Sequence, residues 1–133
     1  MKISQALREK TLLSFELFPP KTEKGMENLP GTIDHLMKYK PAYISCTYGA
    51  GGGNVGANRE VCQMIKKAGT TPVTHFTVIK NTKEGIKEQL DQYLAEGVDH
   101  MLALRGDIPL GETTTCGDFN YATDLVKFVR DTY

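Results

Sequence analysis

Four places in the 133-residue chain put reactive residue types where chemistry is usually done. Glu16 is the single carboxylate in the apolar run Leu12 to Phe18. Thr47 and Tyr48 close a second apolar run and lead into glycines at 49, 51, 52 and 53. His75 and Thr77 alternate with apolar residues in a third, and Arg105, Gly106 and Asp107 follow directly on the apolar Met101 to Leu104. If the four runs are parallel strands, all of these groups gather at one end of a sheet, the end that carries the chemistry in α/β barrels.

Each group has a chemical reading and a plain one. Side-chain alternation puts Ser14, Glu16 and Phe18 on one face and Phe15 and Leu17 on the other. Burying an unpaired carboxylate favours its protonated form, which makes Glu16 a candidate proton donor; a solvated glutamate at a strand tip fits the stretch equally well. The glycine loop permits close backbone approach, suiting a flat or phosphorylated ligand. It also reads as a flexible connection, and it matches neither the P-loop nor the dinucleotide fingerprint. His75 should point the same way as Val73 and Thr77, yet a lone strand histidine is more often a core residue than a catalyst. No companion histidine stands at metal-ligand spacing, so no metal site is expected. Arg105 and Asp107 read as a pair fixing a turn; alternatively Gly106 admits a planar ligand while Asp107 addresses its polar edge, and both can hold. Asp118, Asp124 and Thr113 to Thr115 read as loop solvation and capping, and His35 and His100 as surface or packing residues.

The elements that would position these groups are legible from period and punctuation. β-like runs occupy Leu12 to Phe18, Tyr43 to Thr47, Val73 to Thr77 and Met101 to Leu104. Pro19 and Pro20 end the first. Met26, Leu29, Ile33, Leu36 and Met37 share a helical stripe, with Pro30 expected in the tolerant first turn. A second helix is predicted from an Asn58 N-cap through Val61, Met64, Ile65 and Ala68 to Gly69. A third starts near Asn81 or Thr82, carries Ile86, Leu90, Tyr93 and Leu94, and stops at Gly97. A fourth starts near Tyr121, with Ala122, Leu125, Val126 and Val129 on one side. Strand and helix alternate about every 30 residues, which predicts right-handed crossovers and a parallel sheet. The absence of a glycine fingerprint after the first strand, with polar residues at every strand end, favours a (βα)8 barrel over a doubly wound sheet. A full barrel needs about 250 residues. The fold class is therefore α/β, four of the eight units of a TIM barrel, as a single domain over residues 1–133.

Acidic and basic residues balance at 16 each with no basic block, so nucleic acid is not an expected partner. No apolar run approaches the ~20 residues of a membrane helix, and a cytoplasmic location is expected. Cys46, Cys62 and Cys116 are widely spaced and read as reduced thiols, the first two in packing positions. The first and fourth strands of a half-barrel would each lack a neighbour. That predicts either a fragment of a longer enzyme or a homo-oligomer joined across those edges.

Five stretches in order carry a family resemblance: Ser14 to Thr22 (SFELFPPKT), Thr47 to Gly52 (TYGAGG), Pro72 to Thr77 (PVTHFT), Leu102 to Pro109 (LALRGDIP) and Tyr121 to Val126 (YATDLV). Together they resemble the N-terminal half of the catalytic barrel of methylenetetrahydrofolate reductases, FAD-dependent TIM-barrel enzymes. The resemblance implies a ping-pong reaction in which NADH or NADPH reduces the flavin and 5,10-methylenetetrahydrofolate then takes the hydride to become 5-methyltetrahydrofolate, in one-carbon metabolism and methionine biosynthesis. Glu16 matches the family's general acid. Asp107 matches the acidic residue near flavin and pterin. Thr47, His75, Arg105, Gly106, Asp107, Tyr121 and Ala122 match positions lining the flavin site. The chain departs from the pattern at Gly53-Asn54-Val55, where small hydroxyl residues are common, and between Asp107 and Tyr121, which is slightly long. The family's second half, which holds much of the FAD adenosine side, lies outside this sequence. The competing expectation is an inactive half-barrel that self-associates or binds flavin or folate weakly. A phosphate-binding lyase is disfavoured, because Lys21 and Lys80 fall beyond the strands rather than at a Schiff-base position.

Overall fold

The computed structural model describes residues 2–48 and 55–133. In chain order they form α1 (Ile3–Glu9), β1 (Ser14–Leu17), α2 (Glu23–Met37), β2 (Tyr43–Cys46), α3 (Val55–Ala68), β3 (Thr71–Thr77), α4 (Lys83–Ala95), β4 (Met101–Leu104) and α5 (Ala122–Thr132). The glycines at 49 and 51 to 53 lie outside the described residues. Helix starts follow side-chain caps. Thr22 Oγ1 accepts from the Gly25 N–H at 3.0 Å and Thr82 Oγ1 from the Gly85 N–H at 3.0 Å, each with a glutamate in the first turn. Gly69 and Gly97 stop α3 and α4 with φ of +101° and +76°, where a Cβ would be strained.

The strands pair in the order β1-β2-β3-β4, every pair parallel, with Glu16 opposite Ser45, Ser45 opposite Val73 and His75 opposite Leu102. This is the four-unit parallel α/β sheet expected of half a barrel. One face carries Phe15, Leu17, Ile44, Cys46 and Phe76, which meet Val61, Cys62 and Ile65 of α3 and Ile86, Leu90 and Tyr93 of α4 in one apolar core. The alternate residues, including Glu16, Ser45, Val73, His75 and Leu102, line the other face, which would be the barrel interior. There Leu102 remains 46% exposed. Among the described residues no helix is long and apolar enough to cross a membrane.

Two local expectations are corrected. Pro30 lies in the middle of α2 rather than in its first turn, because the Thr22 cap starts the helix well upstream of it. Asn58 does not cap α3; the helix already runs at Val55 and Asn58 is wholly buried within it. The N-terminal stretch, for which no element is expected, forms a short helix, α1, with no buried residue.

Candidate functional site

The C-terminal ends of β2, β3 and β4 surround a cavity of about 440 Å³ lined by Phe18, Thr47, Tyr48, His75, Thr77, Leu104, Arg105, Gly106 and Asp107. Five expected site residues, Thr47, His75, Arg105, Gly106 and Asp107, thus share one wall system. Glu16 faces an adjoining cavity of about 360 Å³ on the same sheet face, and His75 lines both. The apolar groove between α4 and α5 at the opposite ends of the strands is smaller, about 130 Å³, and holds none of these groups.

Glu16 Oε2 lies 3.4 Å from His75 Nε2. The carboxylate is 51% exposed, while the imidazole is 9% exposed. The solvated alternative therefore describes Glu16 in this chain, since the face it sits on is open and nothing local removes it from water. His75 Nε2, despite the 3.4 Å approach, and Thr77 Oγ1 are buried with no hydrogen-bond partner among the described residues. A buried polar atom without a partner is costly and calls for one.

Arg105, Gly106 and Asp107 are held by the backbone. Val78 N–H lies 3.2 Å from Leu104 O and 3.3 Å from Arg105 O, and Arg105 Nε donates to Gly106 O at 3.0 Å. No ion pair joins Arg105 to Asp107 among the described residues, so the expected turn-fixing pair is replaced by the guanidinium bonding its own turn, and the Asp107 carboxylate stays clear of it. Gly106 has φ +85°, and a Cβ there would sit 2.4 Å from Ile79 Cγ1 and 3.0 Å from Thr77 Cβ. Only glycine lets the turn press against the end of β3.

Tyr48, on the cavity wall, packs against Phe76 with ring centroids 5.0 Å apart and tilted by 41°, and its hydroxyl donates to Gln89 Oε1 at 2.6 Å. Gln89 Nε2 donates to Asn81 Oδ1 at 3.2 Å, and Asn81 Nδ2 to Thr77 O at 3.0 Å. The long β4–α5 connection is tied down on the same β3–α4 turn: Lys80 N–H donates to Thr115 O at 2.8 Å and Asp118 N–H to Asn81 O at 3.0 Å. A Cβ on Gly117 would meet Asn81 O at 2.6 Å, so that close approach also requires glycine. Asp118 accepts from Lys83 N–H at 2.8 Å and Asp124 from Tyr121 N–H at 3.0 Å, the capping roles read from sequence. Tyr121 and Ala122, expected as cofactor contacts, begin α5 and do not line the cavity; Tyr121 is 64% exposed. Burial pushes the Cys46 and Cys62 thiols up to about 12, which keeps both protonated and inert at neutral pH.

Sequence reasoning missed Asn58. Its amide donates to Cys46 O at 3.0 Å and Thr47 O at 2.9 Å, while Oδ1 accepts from the hydroxyls of Thr74 at 2.8 Å and Tyr93 at 2.6 Å. The signal was present: Asn58, Val61, Cys62 and Ile65 share one helical stripe, which puts a polar residue on a core face.

A family profile described as methylenetetrahydrofolate reductase matches residues 2–133. The chain belongs to this family. It is 36% identical over 127 residues to methylenetetrahydrofolate reductase (NADH) 1 of Arabidopsis thaliana, covering 92% of this chain and 22% of that protein. It is 36% identical over 120 residues to the 5,10-methylenetetrahydrofolate reductase of Pectobacterium carotovorum, covering 90% and 39%. The Escherichia coli protein of that name is 34% identical over 120 residues, covering 90% and 40%. The chain thus spans well under half the length of these relatives, and four βα units are the corresponding part of a reductase barrel. The family is one of oxidoreductases acting in folate one-carbon metabolism.

Proposed function

We propose that this chain supplies the proton-donating and flavin-facing half of an enzyme that reduces 5,10-methylenetetrahydrofolate to 5-methyltetrahydrofolate, with FAD as cofactor and NADH or NADPH as reductant. The observation that carries the reading is the pair of buried atoms without a hydrogen-bond partner among the described residues, His75 Nε2 and Thr77 Oγ1, on residues lining the 440 Å³ cavity beside Arg105, Gly106 and Asp107. A flavin's ring edge, with its alternating nitrogens and oxygens, offers partners to both, and Gly106 keeps the neighbouring wall flat enough for a planar group.

Bound FAD supplies hydride transfer between the nicotinamide donor and the folate. The chain's own residues hold, orient and move a proton. Thr47, His75, Arg105 and Gly106 hold the cofactor, and Asp107 sets a negative charge beside it that orients the pterin. Glu16 gives its carboxyl proton to the folate nitrogen whose bond to the one-carbon unit opens. Tyr121 and Ala122 do not line the cavity and would meet the cofactor only outside it.

The test is product formation. The chain is assayed with FAD, NADH and 5,10-methylenetetrahydrofolate, alone and with the C-terminal portion of the Escherichia coli relative added. NADH- and FAD-dependent formation of 5-methyltetrahydrofolate is expected in the completed barrel. NADH oxidation without methyl product, or product formed without flavin, would contradict the proposal.

A second reading, an inactive half-barrel that self-associates, is favoured by the exposed apolar residues on and beside the open face, Phe18 at 73% and Leu102 at 46%. Two copies could close eight strands through β4–β1 pairs, and a monomer at micromolar concentration would exclude this.

A further inference from the structure

Thr47 directly follows β2 and His75 lies in β3, and a ligand lying between them needs those two positions held in register. β2 ends just before Thr47, whose N–H still donates to Leu17 O of β1 at 3.0 Å while its carbonyl receives no bond from the ladder pairs of β2. The contacts that complete it come from the helix side. Both amide hydrogens of Asn58 are used on consecutive carbonyls, Cys46 O and Thr47 O, at the point where β2 stops. Its oxygen takes the hydroxyls of Thr74, in β3 directly before His75, and of Tyr93, in α4. The side chain is 0% exposed, both of its amide hydrogens and its oxygen are engaged, and the Thr74 hydroxyl also lies 2.9 Å from His75 O. The nitrogen-to-carbonyl, oxygen-to-hydroxyl pattern admits only one orientation of the amide. Burial raises the Tyr93 phenol above its ordinary value, so it keeps its proton and is a donor at neutral pH.

We propose that Asn58 is a positioning residue for the flavin site: from behind the sheet it clamps the end of β2 to the middle of β3, directly before His75, and so sets the placement of Thr47 relative to His75. This rests on the flavin reading above. A buried polar residue with all its partners on one rigid element would serve stability alone; Asn58 instead joins two strands and two helices at the one level where the sheet meets its ligand. An apolar residue on the same stripe would pack as well and leave the carbonyls of Cys46 and Thr47 free to move apart.

Two variants act on the clamp without touching the cavity wall. Asn58→Asp keeps the shape but replaces both donors to the carbonyls with an oxygen. Tyr93→Phe removes one donor to Oδ1, keeps the ring against Phe76, and remains informative if the first variant fails to fold. Ile65→Val, a truncation on the same buried stripe, is the control for simple loss of packing. The first readout needs no ligand: NMR signals of the Thr47 methyl and the His75 ring are expected to move in Asn58→Asp and Tyr93→Phe and to stay in Ile65→Val. The second is FAD affinity, expected to weaken about tenfold in Asn58→Asp and less in Tyr93→Phe. Thr47 and His75 signals unmoved by both clamp variants, or moved as far by Ile65→Val, would overturn the proposal. Wild-type chain that binds no FAD, with the signals moving as expected, would leave the clamp standing and count against the flavin reading.

Discussion

Glu16→Gln is expected to abolish folate reduction while leaving reduction of the flavin by NADH intact. The substitution keeps the size of the side chain and its contact with His75 but removes the only proton it can give. Positioned general acids contribute roughly 10²- to 10⁴-fold to a rate, and the opening of the folate ring should slow by a factor in that range. Reduction of the flavin by a nicotinamide needs no such proton, so the two half-reactions separate. Stopped-flow measurement of each half-reaction in the completed barrel checks this. Folate turnover within a factor of two of wild type would remove Glu16 from the mechanism, and equal loss in both half-reactions would mean that it holds the cofactor rather than supplying a proton.

Gly106→Ala is expected to be the most damaging single-methyl change in the site. The left-handed backbone costs an L-residue about 1–2 kcal/mol. The new Cβ would also meet Ile79 Cγ1 at 2.4 Å and Thr77 Cβ at 3.0 Å, which forces movement of a kind that costs about 1–3 kcal/mol. The sum is about 2–5 kcal/mol, and because Thr77 is one of the groups displaced, FAD affinity should fall with it. Gly111→Ala supplies the comparison: φ is +80° but no atom lies within 4 Å, so only the backbone cost applies. Urea unfolding of both variants separates the two effects. A Gly106→Ala variant no less stable than Gly111→Ala would show that the turn does not press on β3 as described.

Most of the architecture was legible because it rests on local signals. Alternation of apolar runs and helical stripes gave four βα units, Asn81 and Thr82 marked the start of α4, of which Thr82 is the cap, and Gly69 and Gly97 marked two stops with the positive φ their position demands. What escaped the sequence depends on partners far along the chain. Whether Glu16 is buried is decided by what covers the open face, not by Leu12 to Phe18. Asn58 looked like a cap because asparagine favours that position, and its true partners come from β2, β3 and α4. Arg105 and Asp107 looked like a pair because they are two residues apart, yet the turn points the guanidinium at the Gly106 carbonyl instead. Tyr121 and Ala122 stand away from the cavity because the β4–α5 connection is tied to Lys80 and Asn81.

The central claim is that the C-terminal end of this sheet holds a flavin. Size-exclusion chromatography of the chain with FAD, following flavin absorbance and the mass of the protein peak together, tests it most directly, with the Escherichia coli C-terminal portion added in a parallel run. Flavin travelling with the protein, and released when His75 is replaced by Leu, is the predicted result. Flavin left behind by the chain in both runs would contradict the account.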